Sequence, residues 1–469
     1  MVVLHNLQDV FLEASRQATL NLPTLKQNYL KIDFGNFDIK ETVYNGAEPS
    51  LPFAASSIIN AGINNWKRLT ADHEDCKAVY EVTFDVMGSN LNFRPGDTIG
   101  VIPRNPDKEI SCVIDCLELS DVVDSCYIIT VNSGQKAAKI PPHVPVKSTL
   151  RYVLTHCIDL RGVVKKLFLL ALSRYTKDET EKKVLEYLCS KEGSISYTNY
   201  ILNKNLCMLD LFEIFKTCKP PVEVILEHLP RLLPRPYSIV NSSLINPNEI
   251  KICFSVMNIG YNRKGLVTGW LESLINESLE DKMRNITITD KKETMMDKKV
   301  SIYLRKNINQ FSFPDKISRP MILIGPGTGV APYIGFLEEQ MKEEERDGHI
   351  IWLFFGCRYP DLDFIYKDEL HDFKDSGVLT KLTTVFSRFN DCEDKYIQDA
   401  ILSNGKEVSE LLKNGALVYV CGDVKTMATQ VTESFVKCLV NFSDLTQEDA
   451  EKFVCDMQKE KTYLIDLWN

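Results

Sequence analysis

The sequence predicts an α+β multidomain chain: an antiparallel β region interrupted by a helical block, followed by an α/β domain built on a parallel sheet. Three observations carry this. Between about residues 66 and 103, AVYEVTFDV alternates strongly and FRPGDTIGVIP reads as strand, Pro-Gly turn, strand. From about 107 to 218 the alternation gives way to helical spacing, as in LRYVLTHCIDL and VVKKLFLLALSRY, and the β pattern returns at RPYSIVNS and EIKICFSVMN. After Pro320, the short apolar runs MILIG, IIWLFFG, LTTVFS and ALVYVCG alternate with helical or loop sequence, the mark of a parallel sheet covered on both faces.

At 469 residues the chain is too long for one ordinary domain. Residues 1–65 hold an amphipathic helix and then polar, turn-rich sequence (EPSLP, NAGINN) that reads as a linker. The charged run at about 276–298 reads as a surface excursion. With 44% hydrophobic and 25% charged residues the composition is that of an ordinary globular protein, and a net charge of −9 argues against nucleic-acid or anionic-membrane binding. No apolar run approaches the roughly 20 residues that span a bilayer. Asp9 and Glu13 near the start disfavour a secretory signal or a mitochondrial presequence. The 14 cysteines contain no C-x-x-C pair, the nearest two being Cys112 and Cys116, and the seven histidines show no metal-site spacing. Reduced cysteines, a cytoplasmic location and no metal are the expectation.

Two motifs carry chemistry. Arg235-Pro236-Tyr237-Ser238 ends a strand with a guanidinium for a diphosphate, an aromatic face for a flat ring and a hydroxyl beside it. Alone, it reads rather as a strand with a surface Arg and a core Tyr. About 30 residues on, Lys264-Gly265-Leu266-Val267-Thr268-Gly269 opens an amphipathic helix with a glycine turn, whose backbone N–H groups and dipole suit an anion. Two such devices fit one flavin dinucleotide, with Ser238 near the flavin N5. Gly325-Pro326-Gly327-Thr328-Gly329 lies between a strand and a helix, the context of a phosphate turn, but its third glycine comes one residue too early for the usual dinucleotide fingerprint. After LTTVF, Ser387 and Arg388, then Lys395, Tyr396 and Gln398, supply cations where an NAD enzyme would place a carboxylate, which points to NADP. Read singly, Arg388 and Lys395 are solvated loop charges. Cys421 closes the last clear strand, where open α/β sheets bind ligands, although an isolated cysteine is usually structural. Asp466 and Trp468 sit at the chain end, and a flavin ring would give an aromatic there a reason to be ordered.

Together these residues resemble the ferredoxin–NADP reductase family, specifically the flavin-and-nicotinamide half of diflavin reductases. The likeness extends through HLPRLLPRPYS, GPGTGVAPYIGFL, WLFFGCRYPDLDFIYKDEL, KYIQD and YVCGD, and covers about Trp66 to Asn469. It implies a split antiparallel β-barrel for FAD over residues 66–318, with a helical connecting insert at about 107–218, and an α/β NADP-binding domain over 319–469. It implies that Arg235, Tyr237, Ser238 and Gly265, Leu266, Val267, Thr268 bind FAD, with Trp468 over the ring. Ser238, Cys421, Asp466 and Trp468 would surround the hydride-transfer position. Gly327 and Thr328 would meet the NADP pyrophosphate, and Ser387, Arg388, Lys395, Tyr396 and Gln398 the adenosine 2′-phosphate. Lys395 directly precedes Tyr396, where many members space them by two, and Asn469 stands where a terminal Ser is common. The implied activity is NADPH-dependent reduction of FAD, with single electrons leaving through FMN to the cobalamin of methionine synthase. The roughly 65 residues before the barrel are too few for a flavodoxin-like domain, so the FMN is expected on a separate domain or protein. Two alternatives stand beside this reading: a stand-alone reductase for a flavodoxin-like acceptor, and a non-catalytic NADP- and FAD-binding partner of methionine synthase.

Overall fold

A computed structural model describes residues 7–35, 41–132, 139–259, 263–284, 299–343, 348–389, 393–422 and 425–467. The chain divides into two units, Met1–Pro52 with Pro103–Pro234 and Asn258–Leu266, and Phe53–Ile102 with Arg235–Met257 and Val267–Asn469.

The first unit is mainly helical. Leu150–His156 and Lys166–Ser173 are helices, as their spacing predicts. The first is capped by Thr149, whose hydroxyl accepts from the Tyr152 N–H at 3.2 Å, satisfying one of the donors a helix start leaves open. Further helices span Asp107–Cys116, Glu179–Cys189, Met208–Ile214 and Val222–His228. The N-terminal segment is not a linker. Gln8–Arg16 is a helix whose Leu7, Val10 and Ala14 are buried, and it packs against Glu179–Cys189. Its Glu13 accepts hydrogen bonds from Ser196 Oγ (2.6 Å) and Tyr187 OH (3.1 Å). Strand β1 (Leu30–Phe34) joins β5 (Cys126–Val131) and β6 (Lys147–Thr149) in a small antiparallel sheet. A tiny hairpin, β9 (Asn258–Ile259) with β10 (Arg263–Lys264), also belongs here.

The second unit joins a barrel to a parallel sheet. Six antiparallel strands run in the order β7 (Arg235–Ser238), β4 (Thr98–Val101), β11 (Lys299–Leu304), β2 (Ile59–Arg68), β3 (Val79–Asp85) and β8 (Glu249–Ser255). The Ile239–Ile252 bridge beyond β7 meets β8 and closes the ring. The barrel therefore begins at Ile59, seven residues before the expected start at Trp66. NAGINN misleads because β2 turns Ala61 and Ile63 inward while its asparagines stay outside, with a bulge between Ile63 and Asn65. Val82, Phe84, Ile99, Val101, Ile250 and Ile302 fill the barrel, together with Val267, Leu271 and Ile275 of the helix Leu266–Arg284. That helix takes in the first part of the predicted surface excursion, whose remainder, 285–298, lies outside the described residues.

The parallel sheet has the order β14 (Lys381–Phe386), β13 (Ile351–Cys357), β12 (Met321–Ile324), β15 (Leu417–Gly422), β16 (Tyr463–Leu467). Every residue of β12 is buried, with Met321 and Leu323 in the core on one face and Ile322 and Ile324 in the core on the other. The chain leaves β12 outward through β13 and β14, then returns to β15 on its other side. That reversal creates a crevice at the carboxyl ends of β12 and β15, the place where such sheets take ligands.

Candidate functional site

The glycine turn opens directly onto this crevice. After Ile324 the chain makes a tight turn, a short 3₁₀ segment over Gly327–Val330 and the helix Ala331–Lys342. Each glycine has its own cause. A Cβ on Gly325 would lie 2.7 Å from the Tyr333 ring, and one on Gly329 would overlap the Cys421 carbonyl. Gly327 has φ +53° and open space around it, so it is there for backbone shape and for exposure. Gly327 and Thr328 line a cleft of about 300 Å³ whose wall also includes Ser387, Lys395, Tyr396 and Gln398. Six of the seven NADP-side candidates thus share one cavity. The seventh, Arg388, is solvent-exposed and outside the lining, with its backbone held by an N–H bond to the Arg358 carbonyl at 3.0 Å.

A second group forms at the same carboxyl edge. The β15–β16 register puts Cys421 beside Asp466, and Ser238 Oγ, from the end of β7, donates to Asp466 Oδ2 at 3.4 Å. Burial raises the Asp466 carboxyl above its usual range, opposed by hydrogen bonds from Asn309 and Ser238 and by the Arg305 charge. Burial first, and Asp466 second, push the Cys421 thiol well up, so it stays neutral at physiological pH. Three of the four expected catalytic residues are therefore neighbours across 228 residues of sequence. Trp468 and Asp423 lie outside the described residues.

On the flavin side, β7 pairs Arg235 with Val101, Tyr237 with Ile99 and Ser238 with Thr98. Tyr237 stands edge-on to Phe254, with ring centroids 6.2 Å apart at 71°, and burial raises its phenol. The helix Leu266–Arg284 begins where the glycine turn predicted, so the N–H groups of its first turn have no partner within the helix. Thr268 Oγ1 accepts from Met257 N at 3.3 Å, and Thr268 and Val267 are buried. A half-buried aromatic face, a cation on the same strand and an open helix start are features a flavin dinucleotide would fit.

A family profile described as FAD binding domain matches residues 51–270, and one described as oxidoreductase NAD-binding domain matches 323–433. The methionine synthase reductases of Rattus norvegicus and Homo sapiens are each 34% identical over 97% of this chain. The NADPH–cytochrome P450 reductase of Homo sapiens is 27% identical over 91% of it. The chain belongs to the diflavin reductase family. It spans 66% of the length of the two methionine synthase reductases and 60% of the P450 reductase. In this diflavin reductase chain the FAD-binding match starts at 51, close to the first barrel strand at Ile59 and well before Trp66.

Several lining residues of the diflavin reductase cleft escaped sequence reasoning. Arg358, Lys77, Thr70, Cys357 and Asp363 all line it. Asp363 Oδ1 accepts from the N–H groups of Arg358 (3.1 Å) and Tyr359 (2.7 Å), which shapes the turn after β13. Arg358 had a usable signal, since it follows directly on a strand of the parallel sheet at its ligand-binding end. Lys77 had none, because it comes from the barrel unit's sequence far upstream. Among the described residues no helix is long and apolar enough to cross a membrane, and no group of three or more His, Cys, Asp or Glu side chains could hold a metal ion.

Proposed function

We propose that this chain is the FAD- and NADP-binding part of an NADPH-dependent reductase. The observation that carries it is the cleft, where a glycine turn faces Ser387, Lys395, Tyr396 and Arg358 beside the Ser238–Asp466–Cys421 group. Bound FAD would accept a hydride from NADPH and release its electrons one at a time. Gly327 and Thr328 bind the NADP pyrophosphate through backbone N–H groups and a hydroxyl. Ser387, Arg388, Lys395, Tyr396 and Gln398 take the 2′-phosphate and adenine, and Arg358 and Lys77 add positive charge to the same wall. Arg388 is exposed, and its backbone is anchored beside Ser387 by the bond to the Arg358 carbonyl. Arg235 and the Gly265–Thr268 turn would hold the flavin diphosphate and Tyr237 would lie against the ring, which Trp468, outside the described residues, is expected from the sequence to cover. Ser238 and Asp466, joined by their hydrogen bond, would hold a proton for the flavin, with the raised Asp466 carboxyl able to exchange it, and the buried neutral Cys421 thiol beside them would add no charge where the nicotinamide is taken to bind.

The further acceptor is an FMN-bearing domain or protein, and through it the cobalamin of methionine synthase, a reading supported by the 34% identity to the two methionine synthase reductases. A cytoplasmic location belongs to the same proposal, and the described cysteines, all of which are free, support it. The purified chain is expected to be yellow and to bleach anaerobically with NADPH far faster than with NADH. A yellow chain that NADPH cannot bleach would support a non-catalytic binding role instead.

A further inference from the structure

The stretch that leads into the flavin-side glycine turn is held at two consecutive residues, Arg263 and Lys264, by two largely buried ion pairs. Arg161 donates through Nη1 to the Lys264 carbonyl at 2.6 Å, immediately before Gly265. Its Nε contacts both oxygens of Glu109, at 3.0 and 2.9 Å, and its Nη2 lies 2.8 Å from Glu109 Oε1. The two side chains are only 13% and 14% exposed. One residue earlier, the Arg263 guanidinium pairs with Asp210, whose side chain is 3% exposed, and touches Cys207 Sγ. Asp210 is itself fixed, since its Oδ2 accepts the Cys207 N–H at 2.9 Å. Burial, then Asp210, push the Cys207 thiol up to about 11, so it brings no second negative charge to the pair.

Two explanations for such arginines near an anion site can be separated. Direct phosphate binding needs uncompensated positive charge, and here Glu109 and Asp210 neutralise both guanidiniums. Simple stabilisation is also a poor account, because desolvation cancels most of what a buried pair gains over apolar residues. What a buried, bidentate pair does well is hold one geometry. Both act on the backbone of β10, whose next residues present the first N–H groups of the helix Leu266–Arg284.

We propose that Arg161 and Arg263 are positioning residues for the flavin diphosphate: by clamping Lys264 and its neighbour they aim the Gly265–Thr268 N–H groups at the phosphate oxygens. This rests on the flavin reading above. Arg161→Lys keeps the charge beside Glu109 but cannot serve Glu109 and the Lys264 carbonyl at once. Arg263→Lys likewise loses the fork that spans Asp210 and Cys207.

The test uses the full chain loaded with FAD. FAD affinity is read from the fluorescence regained on release, 2′,5′-ADP affinity by calorimetry, and folding by far-UV circular dichroism. Each lysine variant is expected to weaken FAD by about tenfold, the loss of one charge-assisted hydrogen bond, while 2′,5′-ADP affinity and the dichroism stay as they were. Glu109→Gln, which leaves the Arg161–Lys264 bond in place but loosens the pairing that fixes Arg161, is expected to weaken FAD by less than Arg161→Lys does, a measurable loss that serves where a lysine variant folds poorly. FAD affinity within about twofold of the unaltered chain in both lysine variants would overturn the proposal. So would FAD and 2′,5′-ADP affinities falling together, which would make the pairs merely structural. An unaltered chain that takes up no FAD would instead remove the flavin reading on which the proposal stands.

Discussion

Replacing Arg388 by alanine is the sharpest test of cofactor choice, with Lys395→Ala as its comparator. Each cation would meet only the 2′-phosphate, which NADH lacks. A charge-assisted hydrogen bond of this kind contributes about 1.5–3 kcal/mol, and about 1.4 kcal/mol is tenfold in an equilibrium. Where each residue falls in that range depends on its starting state. Arg388 is solvent-exposed, so ordering its long side chain costs up to about 1.5–2 kcal/mol, which places its loss near the lower end, about tenfold. Lys395 already forms part of the cleft wall and is half-buried, so its loss should be larger, about thirtyfold. The assay is steady-state ferricyanide reduction at saturating ferricyanide, titrating NADPH and then NADH. The expected result is a raised KM for NADPH in both variants, with NADH parameters within about twofold of the parent. Equal losses with NADPH and NADH would refute the assignment. No loss at all in Lys395→Ala would refute the cleft as the 2′-phosphate site.

Three further outcomes follow from the geometry. Asp466→Asn should lower kcat yet raise Tm near neutral pH: burial raises the folded-state pKa above the unfolded value, so the native carboxylate is disfavoured once pH exceeds that folded pKa. The Tm advantage should shrink as pH falls through the raised pKa toward the unfolded one, where both states are protonated, and a pH-independent advantage in thermal scans would count against the cause given. Gly329→Ala places a Cβ against the Cys421 carbonyl, a backbone atom that cannot rotate away, so a loss of about 1–3 kcal/mol in urea unfolding should accompany weakened 2′,5′-ADP binding; unchanged values for both would show that the turn can shift freely. With NADPH the chain should reduce ferricyanide, and its cytochrome c rate should rise when a separately expressed flavodoxin-like FMN protein is added at high concentration, because a free partner lacks the effective molarity of a tether. A cytochrome c rate that is already fast and indifferent to the added protein would remove the FMN relay from the scheme.

Local sequence by itself determined most of the barrel and parallel-sheet strands, the glycine turns and the candidate ligand-binding residues. Arg235-Pro-Tyr-Ser, Gly325-Pro-Gly-Thr-Gly and the Ser387–Gln398 segment each gather their candidate chemistry into a few consecutive residues, so backbone conformation and side-chain type are legible together. The helical block and the alternating β/α region were legible for a related reason, since periodicity is a property of neighbours. Tertiary structure decided what depends on residues far apart. Asn60–Asn65 became a barrel strand because β11 and β3 pair with β2 on either side, although its polar outer face reads locally as a turn. Lys77 reached the cleft because the barrel and the parallel sheet fold as one unit, and the Ser238–Asp466 contact closes over 228 residues. Arg161 and Glu109 are 52 residues apart, and Arg263 and Asp210 are 53, so nothing in their own surroundings marks them as partners. Charge pairing of this kind is set by where the backbone brings two side chains out of water, and no short window of sequence contains that information.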